Sequence, residues 1–382
     1  MDNRFSRVVG IVAALLAVVT IGATAQSLTL PPDGGNQKAS VSQWIGLVEV
    51  NITYNSPKVT APDGTDRTGK IWGQLVPYGM AKLGFGTCGD QCPWRAGANE
   101  NTVFRVSNDV RIEGQPLAAG SYGLHMIPGQ EEWTIIFSKN SKAWGSFFYD
   151  ATEDALRVKV KPVKCEYNHW LTYEFTERRL DQAKAALKWE YLEVPWTISV
   201  PNATDLYVAD LRNEVTSGEG SDWRGWERAA RFCLNQKTNL KEALTWAQRA
   251  VSLPFIGEEN FTTLHTLADL QEANGMAGES EKTLRKALDH PTASALDLHQ
   301  YGRSLLARGQ KEKALAVFEL NAKKHPNAWP VNVGLARGYS AVGRLNDALK
   351  AAKLALQQAP DDINRKNLEK MVEDLKAGKP IT

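Results

Sequence analysis

The stretch Val48-Glu49-Val50-Asn51-Ile52-Thr53-Tyr54 decides the reading of the first half of the chain. Apolar and polar side chains alternate there with period two, which puts one face of an extended segment in a core and the other toward water. The pattern returns at residues 102–107, 110–113, 121–127, 133–138, 156–160, 171–176, 186–193 and 196–200. Between these runs stand residues that favour chain reversal: Pro62-Asp63-Gly64, Asn108-Asp109, Ala119-Gly120, Pro128-Gly129 and Asn140-Ser141. Short strands without long helices between them predict an all-β antiparallel sandwich over residues 26–200.

From about Ser221 the periodicity becomes helical, and the sequence begins to repeat. Gly275, Gly309 and Gly343 stand 34 residues apart, each between two amphipathic runs. Five residues beyond each comes a small side chain, Ser280, Ala314 or Ala348, with Ala355 a further small position. Phe318 takes the large position between Ala314 and Pro326, and Gly302 the close-contact position of the helix before it. Small residues let paired helices approach, while large ones fill the gap to the next pair. This pattern resembles the tetratricopeptide repeat. Residues 292–326 and 327–360 fit best, 257–291 departs by one residue at Pro291, and 221–254, with Trp226, Ala243 and Ala250, is more degenerate. With 361–376 as a capping helix, residues 221–376 are expected to form an all-α helical solenoid whose groove accepts a protein or peptide. Residues 201–220 read as a linker of flexible composition that ends in Thr216-Ser217-Gly218-Glu219-Gly220 and leaves room for one helix at 203–215.

One dense motif interrupts the β half: Trp94-Arg95-Ala96-Gly97-Ala98-Asn99-Glu100-Asn101. It follows Gly69-Lys70-Ile71-Trp72-Gly73 and Leu75-Val76-Pro77-Tyr78-Gly79. It precedes Glu113-Gly114, Ala119-Gly120-Ser121-Tyr122, Ile127-Pro128-Gly129 and Trp133-Thr134-Ile135-Ile136-Phe137. In that order, over about residues 40–200, these segments resemble the bacterial domain of unknown function numbered 2911. The resemblance implies an exported bacterial protein, in some members with helical repeats behind the domain, and brings no agreed activity. This chain departs from the family's pattern by inserting residues 81–93 directly before the motif.

Arg95 and Glu100 are candidates for a charge-assisted hydrogen bond, with Asn99 tying the loop backbone and Gly97 supplying an unusual dihedral. Such a set is either a polar latch holding a loop across the sandwich or the lining of a pocket for a polar or anionic ligand. His125 alternates with Tyr122, Leu124 and Met126 and is expected to point outward or into a cleft. Cys88 and Cys92, with three residues between them, suit a small disulfide loop in an oxidising compartment, or alternatively a zinc site completed by His125 and His169.

The ends and totals of the chain bound the remaining possibilities. Arg4 and Arg7, the apolar run 8–21 and Ala23-Thr24-Ala25 form a signal-peptide pattern, so export to the periplasm or beyond and removal of residues 1–25 are expected. Four cysteines among 382 residues, with 45 basic against 43 acidic side chains, describe an ordinary globular protein whose net charge of +2 offers no field for nucleic acid. No later stretch reaches the roughly 20 apolar residues of a transmembrane helix. No phosphate loop, nucleophile elbow, His-Glu zinc motif or dinucleotide fingerprint is present, and nothing points to a cofactor. The expected function is therefore an exported protein-interaction or ligand-binding protein. An envelope hydrolase using Glu100, His125 and Arg95, or a carbohydrate-binding module using the tryptophans of the β half, are the alternatives.

Overall fold

The computed structural model describes residues 36–326 and 328–381, so the expected signal peptide lies outside the described residues. The described chain divides into two compact units. One holds Glu49–Arg178 and Gln182–Ser199 with the described residues up to Trp44; the other holds Ile45–Val48, Arg179–Asp181 and the chain from Val200 onward.

The first unit is built of two antiparallel sheets. The larger has the order β1-β2-β3-β6-β7-β8, from β1 (Gln37–Ile45), β2 (Val48–Ser56), β3 (Thr102–Val106), β6 (Gly120–Ile127), β7 (Trp133–Ser138) and β8 (Asp154–Val160). The smaller has the order β5-β4-β10-β9, from β4 (Val110–Ile112), β5 (Gln115–Leu117), β9 (Val163–Thr176) and β10 (Gln182–Ser199). In β2 the alternation becomes burial: Val48, Val50 and Ile52 are fully buried, while Glu49, Asn51 and Thr53 are only partly so. Aromatic side chains join the sheets. Tyr54 of β2 meets Tyr173 of β9 edge-on at 4.8 Å, and Trp133 of β7 and Trp189 of β10 both meet Trp72, at 5.2 and 5.7 Å. Four indoles, of Trp72, Trp94, Trp133 and Trp189, thus pack mainly edge to face, an arrangement that adds to their area burial.

Two strands expected at 186–193 and 196–200 are one long strand, β10, which pairs with β9 through Glu193 and with β4 from Ile198. The expected gap falls at Val194-Pro195, where a proline stands inside the strand, while the register irregularity on either side of Glu190, whose φ is 58°, lies within the first expected segment.

The second unit contains α1 (Ala203–Glu214) and then four helix pairs: α2 (Trp223–Gln236) with α3 (Leu240–Ser252), α4 (Phe261–Ala273) with α5 (Ala277–Asp289), α6 (Ala295–Ala307) with α7 (Lys311–Lys324), and α8 (Trp329–Ala341) with α9 (Leu345–Gln357). Helix α10 (Asp362–Lys376) follows, its first turn capped by the Asp361 side chain accepting from the Asn364 N–H. The arrangement is tetratricopeptide-like, and the marked residues explain it. Gly275, Gly309 and Gly343 have φ of 80°, 75° and 82° and close α4, α6 and α8, the first helices of the last three pairs. Ser280, Ala314, Ala348 and Ala355 are buried, and Ser280 Oγ donates to the Ala268 carbonyl at 2.8 Å. Phe318 is a wedge: a Cβ on Gly302 of α6 or Gly334 of α8 would lie 2.4 or 2.5 Å from its ring.

The segment read as a flexible linker is packed instead. Val208 of α1 and Val215 are buried with Trp226, Ala229 and Cys233, and a Cβ on Gly220 would lie 1.9 Å from the Val215 carbonyl oxygen. Gly220 thus serves close approach rather than freedom of the chain, whereas Gly218 meets no atom within 4 Å.

Candidate functional site

The motif at 94–101 is anchored before it presents anything. Trp94 exchanges two backbone hydrogen bonds of 2.8 Å with Met126 of β6. Ala96 and Asn99 adopt left-handed conformations, with φ of 51° and 57°, so the unusual dihedrals fall on these residues and not on Gly97. Gly97 is small for another reason, since a Cβ there would lie 2.8 Å from Thr102 Oγ1 and 3.1 Å from the Asn55 carbonyl oxygen. The strained Ala96 is held by its carbonyl, which accepts from Thr102 Oγ1 at 3.0 Å and from the buried Tyr173 hydroxyl at 2.7 Å. Nothing in the sequence flagged Tyr173, which lies 77 residues further on.

This backbone path separates Arg95 from Glu100. Glu100 Oε2 accepts from Asn55 Nδ2 at 2.6 Å and lines a cavity of about 230 Å³ with Thr53 and Trp144. Arg95 Nη1 donates to the Asn99 carbonyl at 2.8 Å, and its guanidinium lies over the Phe147 ring, 4.6 Å from the centroid. The expected Arg95–Glu100 pair is therefore not formed. Among the described residues no carboxylate oxygen lies within 4.0 Å of Arg95. Burial pushes its guanidinium below its ordinary pKa. The Asn99 side chain reaches another side chain rather than the loop backbone, its Oδ1 accepting from Asn36 Nδ2 at 3.0 Å.

His125 does not point outward. It is 2% exposed, because Ser146 and Tyr149 cover that face of β6. Its Nδ1 is 2.9 Å from Ser146 Oγ, and its ring meets Tyr149 edge-on at 5.3 Å. Burial first, and the Arg95 charge second, hold the imidazole down at about 4, so it is neutral at physiological pH. Neither of the two cavities beside the motif is lined by both Glu100 and His125. Cys88 and Cys92 are joined in a disulfide with a Cα–Cα distance of 5.1 Å. Their sulfurs are thereby closed to the alternative zinc set, whose other members also have partners: His125 with Ser146, and His169 Nδ1 with the Tyr167 hydroxyl at 3.2 Å.

Arg95 and Asn99 do share a cleft of about 410 Å³. Its polar lining includes Lys58, Arg67, Thr60 and Ser146, its apolar lining Leu75, Val76, Pro77, Trp94 and Trp189, and no Asp or Glu is among the lining residues. Arg67 is partly occupied in the loop, donating to the Val59 and Lys58 carbonyls at 2.9 and 2.8 Å. The exposed tryptophans of the β unit, Trp44 and Trp144, lie outside this cleft, while Trp133, Trp189 and Trp196 are core residues.

A second cluster lies in the helical unit. Arg303 of α6 and Arg337 of α8 line two cavities at once. One, of about 430 Å³, is completed by Trp329, Val333 and the α10 residues Asn367, Leu368 and Met371; the other, of about 550 Å³, by Lys311 and Ile381. Neither arginine has an ion pair or hydrogen bond among the described residues, and Arg337 Nε is buried without a partner. Burial, and then the Arg303 charge, push Arg337 below its ordinary value. The same two charges, after burial, contribute to holding the neighbouring His299 at about 4. The two arginines stand 34 residues apart, at one position of successive repeats, a signal open to the sequence and not used. Among the described residues no helix is long and apolar enough to cross a membrane.

Residues 36–198 match the family described as protein of unknown function DUF2911. No curated protein matches the chain. Among solved structures, the helical region is similar to a thermophilic TPR protein of Thermus thermophilus, at 18% identity over 45% of this chain and 92% of that one, with a TM-score of 0.31. YrrB, described as a TPR protein with an unusual peptide-binding site, is 16% identical over 44% of this chain and 84% of its own, with a TM-score of 0.29. The pilF protein of Pseudomonas aeruginosa is 16% identical over 42% and 70%, with a TM-score of 0.31.

Proposed function

We propose that the chain is an exported, non-catalytic interaction protein whose helical unit docks an acidic segment of a protein partner. The carrying observation is the pair Arg303 and Arg337, which line two adjoining cavities with neither hydrogen bond nor counter-ion among the described residues. Arg337, half-buried with its Nε unpartnered, carries a desolvation cost that a bound carboxylate offsets, the exposed Arg303 adds a second cation beside it, and the planar guanidinium forks suit a carboxylate. The partly buried apolar side chains Trp329 and Met371 beside them fit the non-acidic residues of a peptide. Export rests on the N-terminal pattern of Arg4, Arg7, the apolar run and Ala23-Thr24-Ala25.

The test is fluorescence anisotropy of the mature chain with a labelled hexapeptide of alternating glutamate and leucine, set against its glutamine counterpart. Saturable binding of the first, weakened about tenfold or more by R303Q or R337Q and absent for the second, is expected. Equal binding of both peptides, or indifference to both substitutions, overturns the acidic docking site. Export is checked by N-terminal sequencing of the protein from the cell envelope fraction, where a start at Gln26 is expected and a start at Met1 refutes it.

A further inference from the structure

The β unit carries a site that the docking reading leaves unused. We infer that its cleft binds a small organic monoanion, a carboxylate on an apolar body, with Arg95 as the anion-binding group and Leu75 and Trp94 among the walls that receive the body. This inference is independent of the helical unit.

Four observations converge on it. The first is the state of Arg95: one Nη1 hydrogen bond to the Asn99 carbonyl is its only one among the described residues, and no carboxylate lies within ion-pair distance. The guanidinium has five N–H donors, so most of its hydrogen-bonding capacity stays open toward a ligand. The second is rigidity. Arg95 lies over the Phe147 ring, and a Cβ on Gly145 would come within 2.6 Å of Nη1, so the charge is clamped between a ring and a bare backbone. A donor fixed before binding loses little entropy when the ligand arrives. The third is the lining, which adds the cations Lys58 and Arg67 and no acidic side chain, and combines them with apolar walls. The fourth is size, because about 410 Å³ falls within the range of small-molecule sites.

The charge of the ligand follows from desolvation. Burial already holds Arg95 below its ordinary pKa, and a dianion loses more hydration than a carboxylate on entering the same surroundings. One carboxylate matched to one guanidinium leaves no surplus charge on either partner. The neutral His125 behind Ser146 adds no charge to the cleft at physiological pH.

The experiment titrates the full mature chain by calorimetry with three naphthyl probes: 1-naphthylacetate, 1-naphthyl phosphate and the neutral 1-naphthaleneethanol. Naphthylacetate is expected to bind at one site, at least tenfold tighter than the alcohol and tighter than the phosphate. R95Q is expected to weaken it about tenfold or more, R95K less, and K58Q severalfold. E100Q is expected to leave it unchanged, since Glu100 faces a different cavity. K58Q keeps the test decisive should R95Q fail to fold, because Lys58 holds no part of the 94–101 loop among the described contacts. Binding of the alcohol as tight as that of the acid overturns the anion site, and so does an R95Q or K58Q chain that folds and binds like wild type. A tighter phosphate overturns the monoanion assignment, and no binding of naphthylacetate overturns the whole inference.

Discussion

Acidification is expected to weaken the β unit through one side chain, His125. Its imidazole is 2% exposed and titrates at about 4 in the folded chain, against 6.5 when free. The sign follows from linkage: a base whose folded pKa is depressed binds its proton more readily in the unfolded chain, so protonation favours unfolding. The stability at stake is fully present above about pH 6.5 and is lost as the pH falls toward 4. Over the whole window it amounts to about 3 kcal/mol, of which about 2 kcal/mol is gone by pH 5. Carboxylates titrate in part of the same range, so the measurement must be differential. Wild type and H125Q are unfolded in urea at pH 7.5 and pH 5, and hydrogen-exchange mass spectrometry follows the peptides that span β6 and β7. This separates the β unit from the helical one. The wild type should lose about 2 kcal/mol more than H125Q between the two pH values. Equal losses would mean that His125 is not a buried neutral imidazole, and would remove the reason for placing Ser146 and Tyr149 as its cover.

Three further outcomes follow from local packing. Gly302→Ala places a Cβ 2.4 Å from the Phe318 ring and should cost about 1–3 kcal/mol in thermal or urea unfolding of the helical unit; adding Phe318→Leu should recover part of it, and strictly additive losses would refute the wedge. Gly309→Ala meets no atom within 4 Å, so only its φ of 75° is penalised, and a cost of about 1 kcal/mol is expected; a cost near zero would refute the cap. Tyr173→Phe removes one of two donors to the Ala96 carbonyl and should cost about 1 kcal/mol, whereas Tyr173→Phe with Thr102→Val should cost more than the sum of the two singles, because the carbonyl is then left without either side-chain donor; simple additivity would argue against the shared acceptor.

The fold was legible wherever one physical cause acted through a short span of sequence. In β2 the period of two is a property of the pleat, and neighbouring residues record it directly. Gly275, Gly309 and Gly343 were legible because a left-handed helix end admits few other residues and the repeat states the requirement three times. Strand β1 left a weaker record: it lies at the edge of its sheet, most of its residues are exposed or half-buried, and the alternation of Ala39 and Val41 with Lys38, Ser40 and Ser42 is broken by the polar Gln43 and the outward Trp44. Strand β10 reads as two because Pro195 stands inside it, between the stretch that pairs with β9 and the stretch that pairs with β4.

The site was legible in its residues and not in its connections. Arg95, Asn99 and Glu100 drew attention as an improbable cluster of polar groups, but sequence proximity suggested the wrong pair. Between Arg95 and Glu100 the chain passes through two left-handed residues, Ala96 and Asn99, which send the two side chains into different cavities. The partner that Glu100 does find, Asn55, comes from β2, 45 residues earlier. Lys58 and Arg67 went unnoticed because they sit in an irregular stretch, where no periodicity says which way a side chain faces. Local strain is the more transferable clue: a non-glycine residue held at positive φ needs long-range partners, as the Tyr173 hydroxyl on the Ala96 carbonyl shows. Those partners fix the loop from outside, and that fixation is what leaves the Arg95 guanidinium in place with its remaining donors unspent.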